Sequence, residues 1–148
     1  KSVSMICKME SRAKLNSKKV LMNFQKKVIQ NRIQLTALLT KLKRMGKKII
    51  ILSAPAKGMT LLNYCKIDND FVDYATEKSS LKQNLYTPGG NIPVYSDDKI
   101  LKTKPDYALL LAWNFSKEII NNNIKYLKKG GKFIIPIPNI KIISHKKK

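Results

Sequence analysis

Apolar residues recur at three- and four-residue intervals early in the chain. Val20, Leu21, Phe24, Val28, Ile29, Leu35, Leu38, Leu39 and Leu42 form the series, with Lys, Gln and Asn between them. That period predicts a long helix with one apolar stripe. Ser17 is placed to cap its start. Gly46, preceded by Lys41, Lys43 and Arg44, closes it. The pattern then changes. Ile49, Ile50, Ile51 and Leu52 are continuous, which predicts a strand covered on both faces, as in a parallel sheet. Residues 53–58 read as a turn, 59–64 as a helix and 71–76 as a second strand. Residues 79–91 read as a loop broken at Pro88-Gly89-Gly90. Residues 92–95 form a short extended piece with an edge-type proline, and 97–102 a short helix or turn. The second wholly apolar run is 107–112. A helix over 116–128 follows, with Ser116 as its cap and Ile119, Ile120, Ile124 and Leu127 on one face. Gly130-Gly131 stops it. Residues 132–137 are the last main strand, and 140–143 add an edge segment.

Strand, helix, strand, repeated, predicts an α/β fold: an open, mainly parallel sheet with flanking helices, preceded by a long N-terminal helix. The chain of 148 residues is the size of one domain. Residues 1–16 have no clear period and read as a linker or trimmed end. Residues 17–143 form the folded domain, and 144–148 a disordered basic tail. The chain opens on a lysine, as a piece of a longer product would. No apolar run approaches the ~20 residues that span a bilayer, and no signal-type stretch is present. A cytoplasmic protein with no membrane partner is the expectation.

Charge changes the picture only in part. The formal net charge is +21, from 30 Lys and Arg against 9 Asp and Glu. Such a balance admits weak, salt-sensitive contact with RNA or another polyanion. Yet only Arg12, Arg32 and Arg44 are arginine, the better fork for phosphates and bases. Cys7 and Cys65 fit no metal spacing and read as free thiols in a reducing compartment. The single histidine, His145, lies in the lysine tail. No metal site and no Cys–His nucleophile pair is expected.

In open parallel sheets, ligands bind outside the carboxyl ends of the strands. Three segments fall there. The first is Ser53 with Ala54, Pro55, Ala56, Lys57 and Gly58, a strand-to-helix turn whose helix start and lysine favour an anion. It is neither a dinucleotide glycine motif nor a P-loop. The second is Glu77 with the loop to Gly90. Glu77 lies twenty residues after Lys57, near the offset of a ribose-binding acid. The third is Trp113, Asn114 and Glu118, an indole that can stack, an amide that can hydrogen-bond and a carboxylate one turn into a helix.

Four stretches in order, APAKGMTLLNY, LKQNLYTPGGNIPVYS, KPDYALLLAWNFSKEI and GGKFIIPIP, resemble the C-terminal domain of the nucleotide-sugar C-methyltransferase family. The resemblance covers about residues 17–138. It implies a Rossmann-like domain on the sugar-nucleotide side of an S-adenosylmethionine-dependent enzyme that methylates a carbon of a nucleotide-linked ketosugar. The family motif reads approximately G-x-G-A-P-A-K-G. Ala54, Pro55, Ala56, Lys57 and Gly58 match it, whereas Ile51 and Ser53 stand where its glycines would be. Losing both glycines restricts close approach of a ligand to the turn. Glu77 replaces the family's usual Asp. Lys82, Tyr86, Pro88, Gly89, Trp113, Asn114 and Glu118 match as they stand.

The same resemblance implies parts that these residues do not contain: a methyl-donor glycine loop, a zinc-type cysteine cluster and the catalytic base. The expectation is therefore no catalytic residue and no cofactor bound by this chain. Its partners would be a nucleoside diphosphate sugar and a catalytic methyltransferase domain in cis or in trans. Two other readings stand beside it: a stand-alone or relic nucleotide-sugar-binding module, and a basic polyanion- or RNA-binding protein.

Overall fold

In the computed structural model, residues 3–15 and 17–145 are described. The first long period runs as one helix because nothing in it breaks a helix: α2, Lys18–Arg44, contains neither Gly nor Pro. The Ser17 side chain accepts the Val20 N–H at 3.4 Å. Gly46, at φ +69°, turns the chain out of the helix. Before it lies α1, Val3–Arg12, none of whose residues is buried. Residues 1–16 read as aperiodic, but ten of them are helical. Of the expected basic tail over 144–148, residues 146–148 lie outside the described residues.

Six strands form one sheet in the order β3-β2-β1-β4-β5-β6. They are β1 Ile49–Leu52, β2 Ala75–Glu77, β3 Val94–Ser96, β4 Tyr107–Leu110, β5 Lys132–Ile135 and β6 Lys141–Ile143. The first five are parallel to their neighbours, and β6 closes the edge antiparallel to β5. This is the doubly wound order, with its switch point between β1 and β4. The remaining helices are α3 Ala56–Cys65, α4 Lys99–Thr103, α5 Ser116–Asn122 and α6 Ile124–Lys128.

Alternation along β1 divides the core. Ile49 and Ile51 face Leu35, Leu39 and Leu42 of α2 with Leu61, Leu62 and Cys65 of α3. Ile50 and Leu52 face Ile100 of α4 and Tyr126 and Leu127 of α6. Ile51 is fully buried there and pairs with Ala75 and Leu109. The residue in place of the family's first glycine is thus a core residue, away from any ligand surface.

Several sequence expectations shift. The turn expected over 53–58 is shorter, because α3 begins at Ala56. The second strand, expected over 71–76, begins only at Ala75, because Phe71 and Val72 are held in a turn by N–H bonds to the Asp68 carbonyl. The two later strands stop at Leu110 and Ile135 rather than 112 and 137. The expected single helix over 116–128 breaks at Asn123, whose side-chain amide donates to the Ile119 carbonyl at 2.8 Å and competes with the backbone ladder. Ser116 makes no side-chain cap; it is the first helical residue, after Phe115.

Candidate functional site

The carboxyl ends of β1, β2, β3 and β4 share one edge of the sheet, and the turns leaving them meet there. After β1 the chain reverses at Ser53, which takes φ +65°. This is the left-handed region that favours glycine, here occupied by a serine. Ala54 and Pro55 follow, and α3 opens without a side-chain cap. Its first N–H groups are directed past the sheet edge.

Glu77 organises the turn. Its Oε2 accepts the Ala54 N–H at 3.1 Å, and Oε1 accepts the Lys78 N–H at 2.9 Å. The Lys82 ammonium lies 3.6 Å from the carboxylate and donates to the Ala54 carbonyl at 3.3 Å. Burial pushes the Glu77 carboxyl up, but the Ala54, Lys78 and Ser79 N–H groups and the Lys82 charge outweigh it and hold it below its ordinary value. Glu77 is thus a brace that fixes the β1–α3 turn. A ligand hydroxyl would compete with donors already in place.

Lys57 crosses to the next strand end. Its ammonium sits 4.8 Å from the Trp113 ring centroid and 5.9 Å from that of Phe115, a cation–π contact that ties α3 to the turn after β4. Trp113 packs its inner side on the α2–α3 core. Asn114 and Glu118 are exposed beside it. Gly58 serves packing: a side chain there would meet Leu111 at 2.7 Å.

Two clefts flank the Ser53–Ala54 turn. One, of about 290 Å³, is lined by Ser53, Glu77, Lys78, Asp97, Phe115 and Glu118. The other, of about 280 Å³, is more apolar and is lined by Ala54, Ala56, Met59, Lys82, Tyr86 and Pro88. The expected site residues therefore gather at one edge but divide between two hollows. Pro55, Lys57, Gly58, Trp113 and Asn114 line neither. Gly89, at φ +87°, shapes the loop and abuts Asn63, where a side chain would clash with the Asn63 oxygen.

Asp97 is the residue that sequence reading missed. It follows the edge strand β3, and the rule that points to strand ends applies to that strand as well. Three of the chain's nine carboxylates, Glu77, Asp97 and Glu118, line the first cleft. Burial pushes Asp97 up, helped by the charges of Glu77 and Asp98 and opposed by Thr76 and Lys78. Thr76 Oγ1 and Asp97 Oδ1 are both buried without a partner.

The edge does not fit a methyl-donor loop. Both polar atoms of the Ala54 peptide flank are engaged by Glu77 and Lys82, and Gly58 turns its open side onto Leu111. Among the described residues, no three of His, Cys, Asp and Glu gather as metal ligands would. No described helix is long and apolar enough to cross a membrane.

Residues 1–138 match a family model described as the C-methyltransferase C-terminal domain. Over 99 residues the chain is 40% identical to the C-methyltransferase NovU of Streptomyces niveus; that stretch covers 67% of this chain and 24% of NovU. The chain thus spans about a quarter of the relative it matches.

Proposed function

The chain belongs to the C-methyltransferase C-terminal domain family, and on that premise we propose that it is the sugar-nucleotide side of a methyltransferase acting on a carbon of a nucleotide-linked ketosugar. The observation that carries this reading is the convergence of the family-matching residues on the carboxyl edge, around the turn braced by Glu77 and Lys82. The chemistry of the edge divides the ligand. Three carboxylates disfavour a diphosphate in the first cleft, and of these Asp97 and Glu118, rather than the braced Glu77, are placed to accept hydroxyl groups. The phosphates belong on the Lys57 and Lys82 side, by the start of α3. Phe115 lines the first cleft, and Trp113 and Phe115 both turn aromatic surface to the Lys57 ammonium.

S-adenosylmethionine supplies the methyl group in such a reaction, and the residues here do not fit it. The donor and the base that acidifies the carbon therefore come from a catalytic domain, in cis or in trans, in the cytoplasm. The chain alone holds and orients substrate. Titration of the full chain with a nucleoside diphosphate sugar tests this. Saturable binding weakened several-fold by Lys57→Ala and by Lys82→Ala is expected. No binding up to millimolar ligand would overturn it and leave a relic module. Transfer of a labelled methyl group by these 148 residues alone would overturn the division of labour.

A further inference from the structure

One apolar stripe runs the whole length of α2, and only half of it is covered. Leu21, Phe24, Val28, Asn31, Leu35, Leu39 and Leu42 follow at three- and four-residue steps, so they share a face. Leu35, Leu39 and Leu42 are buried on the sheet, whereas Phe24 is 67% exposed and Leu21 55%. The reason is length. The helix has 27 residues, ~40 Å at 1.5 Å per residue. A strand of four residues such as β1 spans only ~13 Å. Because α2 leads through a tight turn into β1 and packs on it, it runs antiparallel to the strands. Its N-terminal half therefore passes the carboxyl edge. The Asn31 amide donates to the Pro136 carbonyl at 2.7 Å, just beyond the end of β5, and fixes that level. Below the exposed stripe lies an apolar groove of about 300 Å³ between Phe24, Val28, Leu61, Tyr64, Ile137 and Pro138.

We infer that this overhanging face is the docking surface for the catalytic methyltransferase domain. The inference rests on the functional reading above. Two observations select that occupant. The matched stretch is 24% of NovU, so most of such a protein lies outside the part that resembles this domain. The overhang also projects from the edge that carries the candidate site, so a body seated on it lies over that edge. The charge specifies the partner's surface. The helix has no acidic residue, and Lys18, Lys19, Lys26, Lys27 and Arg32 flank the stripe. The complementary surface is an apolar patch with a carboxylate rim.

Lysine-directed cross-linking in the source cells, read by mass spectrometry, tests this on the protein as it is made. Lys26 and Lys27 are expected to link to a methyltransferase sequence, either continuous with this chain or separate, and Lys104 and Lys129 are not. Leu21→Glu with Phe24→Glu, both exposed, should cut those links about tenfold without lowering Tm; Phe24→Ala should cut them less. Links from Lys26 and Lys27 only to another copy of this chain would overturn the inference in favour of self-association. Links to no methyltransferase, or links unchanged in the double variant, would overturn it outright. The nucleotide-sugar titration is scored separately. Binding without methyltransferase links refutes the docking surface and spares the substrate reading. Links without binding do the reverse.

Discussion

Glu77 shows how a site residue is half legible. Its position after a strand and its offset from Lys57 mark it, but sequence spacing says nothing of where a carboxylate turns. Its oxygens turn inward to backbone N–H groups. Its folded value lies below the unfolded one, about 4.5. The stability it contributes is therefore present above that pH and lost as pH falls through the carboxylate range. Glu77→Gln is expected to cost about 1–2 kcal/mol at pH 7 and to flatten the fall in stability between about pH 5 and pH 3. Urea unfolding across that range reads both. Ser53 is the second case. A serine stands in a left-handed turn at φ +65°, a conformation that favours glycine. Ser53→Gly should stabilise the fold by about 0.5–1 kcal/mol in the same assay. Asp97 escaped notice because its strand is only three residues long and ends in a run that also reads as a helix start.

At the scale of elements, period and punctuation located α2 and the strands of the sheet but missed α1, none of whose ten residues is buried. Continuous runs such as 49–52 announce strands covered on both faces, and all four residues there are buried. The split at Asn123 was hidden because a side-chain bond to Ile119 decides it, not the apolar period. The stripe of α2 was legible as a stripe, but the point where the sheet stops covering it depends on strand length and direction. Two truncations on the same face separate these regimes. Leu39→Ala, at a fully buried position, is expected to cost about 2–5 kcal/mol. Phe24→Ala, at an exposed one, should change the stability of the isolated chain by less than about 0.5 kcal/mol. Thermal or chemical unfolding of both variants checks the contrast.

For the whole molecule, charge and sheet order act separately. The order β3-β2-β1-β4-β5-β6 sets where a ligand can sit. The net charge of +21 adds self-repulsion that compactness makes worse. Screening should relieve it. Raising salt from about 10 mM to about 0.3 M shortens the Debye length from ~30 Å to under ~10 Å. The melting temperature is expected to rise by a few degrees, or about 1 kcal/mol. A fall in melting temperature with salt would mean that attractive pairs dominate. The contact between Lys57 and Trp113 also has an optical consequence. The chain has one tryptophan, and a cation stands 4.8 Å from its ring centroid at the candidate site. All indole emission from the protein therefore originates at that contact. A phosphate that draws Lys57 away would register in the fluorescence spectrum with no label attached.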